Sequence, residues 1–409
     1  MNILVNAYAV SPNWGSEQGM GWNWVTNLAK FCHLDVITEG EWQKEIELAL
    51  ASLPQKDNLT FHYLPVPPKV RQMCWNQGDW RFYWHYRRWQ LRALKKAQEI
   101  VSQKHIDVIH QLNMIGFREP GYLWKINNIP FIWGPIGGME LMPLNYLKGA
   151  PLKQRVFNCI KNVINRYQCS HSNRVRKSIQ RSSELIAAVK GVKDILASRY
   201  GRASHLINET GVSLAHTGAS EDLTPSGKMK IAWVGKFDFR KQLPLALRTM
   251  IAVNDSNVEL HICGTGNVKA VKEMKSIIET ANIGDRVIWH GNVPHDRITE
   301  IMSQCHLLFF TSIMEATSTV VLEALSVNLP VLCFNTCGFG PIVKEFGGWT
   351  IELSTPDKSV LDFASKIQYL KSNPGELAMA RDRISDNRQN LTWEHKAKQV
   401  SELYQSVLK

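Results

Sequence analysis

A chain of 409 residues, 44% hydrophobic and 21% charged, is too long for one ordinary core and too evenly composed for a disordered, collagenous or disulfide-scaffold protein, so two globular domains are expected. No run reaches the roughly 18 uncharged apolar residues of a membrane-spanning helix, and the opening "MNILVNAYAV" lacks the basic flank of a signal peptide, so a cytoplasmic protein is expected. The net charge of +12 is lopsided, because residues 1–215 hold 27 Lys/Arg against 15 Asp/Glu while residues 216–409 hold 21 of each; an excess confined to one half concerns a partner more than a fold.

In chain order, "MNILVNAYAV" reads as an apolar strand, followed by the glycine-containing loop "SPNWGSEQGMGW" and a helix from Trp22 to Lys30. "LDVITE", "LTFHYLPV", "IDVIHQL" and "IPFIWGP" are further short strands separated by helical stretches. Residues 69–98 interleave Trp75, Trp80, Trp84 and Trp89 with many cations. Such a mixture can stack on and neutralise a nucleic acid, but no nucleic-acid-binding motif accompanies it, so no nucleic-acid partner is expected. An interfacial aromatic belt or a sugar-stacking wall explains the same residues.

Between Leu141 and Ser183 the chain has nine Lys/Arg and no Asp/Glu. There "KQRVFNCIKNVINRY" gathers Val156, Phe157, Ile160, Val163, Ile164 and Tyr167 on one helical face, with Lys153, Lys161 and Arg166 outside it. A basic amphipathic helix of this type either lies on an anionic membrane or turns its apolar face into a core. The polar stretch "HTGASEDLTPSGK" (216–228) reads as a linker.

The strand–helix alternation then restarts with "MKIAWVGKFDF", "LPLALRTMIAV", "VELHICGTG", "VIWHGNV", "ITEIMSQ", "HLLFFTS" and "PVLCFN". The expected fold is α/β, with two doubly wound, Rossmann-like domains (1–215 and 229–390) facing each other across a cleft, and a last helix in 391–409 that the sequence does not place. The eight cysteines are scattered and read as reduced thiols; Cys333 and Cys337 in "CFNTC" form the one close pair, and no metal site is expected.

The segment "TSIMEATSTVVLEALSVNLPVL" (311–332) carries Glu315 and Glu323 with no Lys or Arg among them. Were 315–323 all helical, the two carboxylates would stand about 80° and roughly 12 Å apart, too far to share a metal or a proton. The expected arrangement instead places Glu315 in the loop after strand "HLLFF" and Glu323 inside the helix begun by "STVVLEAL". The free N–H groups of Ser318, Thr319 and Val320 would then face an anion, and each flanking carboxylate would accept from hydroxyls. The plainer alternative makes Glu315 a solvated loop residue and Glu323 a local cap or salt-bridge partner. "VGKFDFRKQ" adds Gly235 and the cations Lys236, Arg240 and Lys241 at the end of the second domain's first strand, which suits a diphosphate. "CGTGN" (263–267) is read only as a turn.

Residues 312–343, from "SIMEATSTVV" to "GFGPIV", resemble the E-x7-E region of the retaining GT-B glycosyltransferases of family GT4. "VGKFDFRKQ" resembles that family's basic loop, and "VIWHGNVPHDRITEIMSQCHLLFFTS" the segment between the two. In the first half "GSEQGMGW", "DVIH" and "LIAAVKGVKDIL" are similar to the family's corresponding segments. The resemblance implies GT-B architecture and a nucleotide-sugar donor, UDP ahead of GDP. It implies contact of Glu315 with the transferred sugar, of Glu323 with the ribose, and of Lys236 and Lys241 with the diphosphate. Gly15 and Ser16 would close over the diphosphate, and His110 falls near the family's first-domain histidine. Lys236, Gln242 and Ala316 stand where the family usually has Arg, Gly and Gly, and Lys keeps the charge of Arg but not its fork.

The implied chemistry is transfer of a hexose-type sugar with retention, no cofactor or metal being required because the basic loop and helix dipole stabilise the leaving group. The implied acceptor is a glycan or lipid-linked oligosaccharide of surface polysaccharide or glycolipid synthesis, such as lipopolysaccharide. It would be met at the inner membrane face, and "FIWGPIGG" either borders it or is only a turn. Two rivals remain at this level: a nucleotide-sugar epimerase of the same fold, which needs an acid/base set around the sugar, and a noncatalytic basic module for membrane or RNA.

Overall fold

The computed structural model describes residues 1–76, 79–214 and 227–409. It divides into two compact units: Met1–Glu140 with Ile164–Thr210 and Trp393–Lys409, and Leu141–Val163 with Gly211–Thr392.

The first unit is built on seven strands, β1 (Asn2–Ala7), β2 (His33–Thr38), β3 (Leu59–Tyr63), β4 (Val108–Asn113), β5 (Phe131–Ile136), β6 (Glu184–Ala187) and β7 (His205–Leu206). They lie in the order β3-β2-β1-β4-β5-β6-β7, every pairing parallel. In register, Ile3 of β1 faces Leu34 on one side and Val108 on the other. The second unit has six parallel strands, β8 (Met229–Val234), β9 (Val258–Cys263), β10 (Val287–Gly291), β11 (Leu307–Phe310), β12 (Val331–Phe334) and β13 (Trp349–Ile351), ordered β10-β9-β8-β11-β12-β13. Helices cover both faces of each sheet, so β1, β4, β11 and β12 are nearly unbroken runs of buried residues instead of alternating ones. These are the doubly wound sheets that the strand–helix alternation predicts.

The units divide the chain differently from the expected boundaries in two places. Residues 141–163 belong with the second unit although they precede it in sequence. Tyr146 explains this: its hydroxyl lies 2.7 Å from Ser359 Oγ, its ring packs edge-on against Phe334 at 5.6 Å, and Asn145 donates to the Ser354 carbonyl. The final helix, Trp393–Ser406, returns to the first unit and lies against the helix Ser16–Leu28. Trp24 and Trp393 meet edge to face at 5.9 Å, and Lys30 pairs with Glu394 at 2.5 Å. The expected linker, 216–228, lies outside the described residues except for its last two.

Candidate active site

Strand order in the second sheet reverses between β8 and β11, so the loops after these two strands leave the carboxyl edge side by side. That is where open α/β sheets bind ligands. Short side chains tie the two loops together. Thr311 accepts a hydrogen bond from the Trp233 indole at 3.0 Å and donates to the Lys241 carbonyl at 2.7 Å. The Ile313 amide donates to the Arg240 carbonyl at 2.9 Å, and Ser312 Oγ lies 3.2 Å from the same carbonyl. "CGTGN" is more than a turn: the Phe237 amide donates to the Thr265 carbonyl, and Gly264 has φ +149. A Cβ at Gly264 would fall on the carbonyl oxygen of Gly235, so only glycine lets the β9 loop support the basic loop this closely.

Glu315 leaves the loop after β11, as expected, and is neither solvated nor uncompensated. One carboxylate oxygen lies 2.5 Å from Lys241 Nζ and accepts from Ser312 Oγ at 2.9 Å, and both members of the ion pair are largely buried. Its own amide donates to the Cys337 sulfur at 3.3 Å, which gives the "CFNTC" pair a structural purpose. Lys241 also stands 4.9 Å from the centre of the Phe310 ring. The sequence shows no neutralising cation near the glutamates because that cation arrives from the loop after β8.

Ser318, buried, is the N-cap residue of the helix Thr319–Ser326 and makes no capping bond with its own side chain, and Thr319 is exposed. Glu323 lies within this helix, half-buried, with one oxygen 3.2 Å from His295 Nε2. In the basic loop Lys236 and Arg240 are exposed, and Arg240 pairs with Asp238 at 3.1 Å. Gln242 adopts φ +54, the left-handed conformation that explains why glycine suits this position. Gly235, Lys236, Arg240, Lys241, Glu315, Ser318, Thr319 and Glu323 thus belong to one carboxyl edge of one sheet. His295 joins them through Glu323, a partner its separation in sequence hid, and Cys337 through the Glu315 amide.

Gly15, Ser16 and His110 belong to the other unit. Gly15 and Ser16 are exposed at the start of the helix Ser16–Leu28, Ser16 with φ +57. His110 requires a correction. It is fully buried, with Nδ1 2.6 Å from the Tyr404 hydroxyl and Nε2 2.7 Å from the Gly134 carbonyl. A carbonyl only accepts, so Nε2 carries the hydrogen and Nδ1 accepts from tyrosine. Burial pushes the ring down to about 4, so it stays neutral. Both nitrogens are engaged away from solvent, and the residue clasps β4, β5 and the last helix instead of meeting a substrate.

Glu17, one residue beyond Ser16 in "GSEQGMGW", has no local sequence signal that marks it as a site residue. Its Oε1 accepts from the Ile115 amide at 3.3 Å, its Oε2 is buried with no partner among the described residues, and burial pushes it up to about 7. It stands where the loops after β1 and β4 meet, the reversal point of the first sheet. The aromatic and cationic stretch after residue 69 divides. Trp89 is buried, while Trp80 and Trp84 are exposed, and Arg71, Arg81 and Arg87 pair with Glu39, Asp79 and Glu119. Among the described residues no group of three His, Cys, Asp or Glu side chains is arranged to hold a metal.

Residues 220–391 match the family model described as "Glycosyl transferases group 1". Among curated proteins, the chain is 22% identical over 191 residues to the phosphatidylinositol N-acetylglucosaminyltransferase GPI3 subunit of Saccharomyces cerevisiae, covering 47% of this chain and 42% of that one. It is 24% identical over 242 residues to the D-inositol 3-phosphate glycosyltransferase of Rhodococcus jostii, covering 55% and 53%. The matched stretch thus spans about half the length of these relatives. Among solved structures, Anabaena HepE in complex with UDP and glucose superposes with a TM-score of 0.59 over 99% of this chain and 100% of that one, at 13% identity. At that identity the likeness shows the fold alone, that of the GT-B glycosyltransferases.

Proposed function

Residues 220–391 belong to the group 1 glycosyltransferases, and from that premise we propose that the protein is a retaining hexosyltransferase that uses a UDP-sugar. The observation that carries the proposal is the Glu315–Lys241 pair, a carboxylate fixed by a cation and a serine at the reversal point of the second sheet. Held this way, Glu315 presents its remaining acceptor capacity to the hydroxyls of the donor sugar. Lys236 and Arg240, exposed on the adjoining loop, supply charge to the diphosphate along with the N–H groups of 318–320 at the helix N-terminus. Glu323 accepts from the ribose. As the bond to the anomeric carbon breaks, negative charge grows on the diphosphate, where cations and helix dipole already lie. Charge placed in advance stabilises this transition state without reorganisation and without a metal. The acceptor hydroxyl attacks from the face the leaving group departs and gives its proton to the departing diphosphate oxygen, so that a glycoside and a protonated nucleoside diphosphate result.

The complex of HepE with UDP and glucose supports the choice of donor. The acceptor is a glycan or lipid-linked sugar of surface polysaccharide or glycolipid synthesis at a membrane face; phosphatidylinositol in the name of the yeast relative supports a membrane-held acceptor. The test is calorimetric titration with UDP, GDP and ADP, repeated on Glu323→Ala. UDP should bind and the variant should lose about tenfold, the worth of a ribose hydrogen bond to a charged acceptor. Failure of all three nucleotides to bind, or equal binding by Glu323→Ala, would refute the assignment.

A further inference from the structure

The helix Leu152–His171 is amphipathic in the reverse sense of an ordinary surface helix. Its inward side is polar: Asn158 and Asn165 are buried and Asn162 is half-buried. The Asn165 amide donates to the carbonyls of Gly138, Met139 and Glu140 at 3.1–3.2 Å, and its oxygen accepts from Arg118. Asn162 donates to the Met142 carbonyl at 2.9 Å and accepts from the Met142 amide at 3.0 Å. These bonds fix the rotation of the helix about its axis. The apolar stripe is therefore held outward, with Val156, Phe157, Ile160, Val163, Ile164 and Tyr167 each 46–67% exposed. Of the two sequence readings, burial of this face in a core is the one the structure removes.

We propose that this outward face is a docking surface for an anionic phospholipid bilayer. An exposed apolar stripe of this length marks a contact with something apolar, and its surroundings decide what. Lys153, Arg155, Lys161 and Arg166 are exposed along the helix, and no Asp or Glu occurs from Leu141 to Ser183. Lys153, two turns before Ile160, falls inside the stripe and not outside it, and its long stem lets the ammonium reach headgroups while the methylenes stay in the apolar layer. A second copy of the chain would press cation against cation across the contact, whereas an anionic surface complements every charge. Tyr167, with an apolar ring and a polar tip, suits the interface. No described helix is long and apolar enough to cross a bilayer, so the helix lies flat, its 20 residues extending about 30 Å. The proposal deepens the reading of a membrane-held acceptor, but it is measured without any sugar transfer.

The experiment is co-sedimentation of the full chain with vesicles of phosphatidylcholine alone and with one-third phosphatidylglycerol. Binding to the anionic vesicles should exceed binding to the neutral ones by at least about tenfold. The variant Phe157→Ser/Ile160→Ser/Ile164→Ser, altered only at exposed positions, should keep its melting temperature and UDP affinity and lose about tenfold in vesicle binding. Arg155→Glu/Arg166→Glu, which leaves the stripe intact, should lose about as much. Wild-type vesicle binding by either variant, or no preference of the wild-type chain for anionic vesicles, overturns the proposal. So does a wild-type dimer in light scattering that the triple-serine variant dissolves, which would assign the face to a second copy. A wild-type chain that binds UDP but no vesicles refutes only this surface, while one that binds anionic vesicles but no UDP refutes only the donor assignment.

Discussion

Replacing Lys241 by Met and Glu315 by Gln, singly and together, measures the pair that anchors the candidate site. The charged atoms are 2.5 Å apart and the side chains only 13% and 15% exposed, so their attraction at an effective dielectric of about 20 is on the order of 7 kcal/mol before desolvation is subtracted. Desolvation of both groups offsets much of that, yet removing one partner leaves the other buried and uncompensated. Lys241→Met strands a carboxylate with the Ser312 hydroxyl as its remaining donor among the described residues, and should cost about 3 kcal/mol. Glu315→Gln is milder, about 1–2 kcal/mol, because Lys241 keeps the Phe310 ring and gains an amide oxygen. In the double variant neither charge is stranded, so its loss should fall short of the sum by a coupling of about 2 kcal/mol. Thermal melts read this directly, since about 2–4 °C accompany each kcal/mol in a unit of this size. Additive losses, with a coupling under about 0.5 kcal/mol, would mean that the pair does not fix Glu315 and would remove the central support of the proposed function.

Tyr404→Phe deprives the buried His110 Nδ1 of its donor and should lower stability by about 1–2 kcal/mol, while activity per folded molecule stays unchanged; a loss of turnover without a loss of stability would restore His110 to the chemistry. Asn165→Ala leaves the three carbonyls it serves without a donor and should cost about 2–3 kcal/mol in a denaturant titration, whereas a neutral result would show that the helix is not pinned through its polar side. For Glu17, raised from 4.5 to about 7 by burial, the native state retains a proton that the unfolded state has already released. Its contribution to stability is therefore unfavourable and grows as pH rises through that window. Glu17→Gln should match wild type near the bottom of the window and exceed it by about 2–3 kcal/mol above the top; a pH-independent difference between the two would refute the burial of this carboxylate.

Both sheets and their separation into two units were legible in the sequence, because parallel strands covered on both faces must be short apolar runs and the crossovers between them must be helices. The runs "NILVNA", "MKIAWV", "LLFF" and "VLCF" carry that information locally. Legible for the same reason was the placement of Glu315 in a loop and Glu323 in the following helix, since chain-local patterns set where a strand ends and a helix begins.

Tertiary structure alone decided the partners. Lys241 reaches Glu315, and His295 reaches Glu323, because the reversal of strand order brings together loops distant in sequence. His110 looked like a site residue at a strand end until Tyr404, from the far end of the chain, closed over it. The helix after Pro151 shows the limit most plainly. Its periodicity fixes that one face is apolar, but a period has no inside or outside. Hydrogen bonds from Asn162 and Asn165 to the preceding segment, which a helical pattern does not encode, turn that face to the solvent.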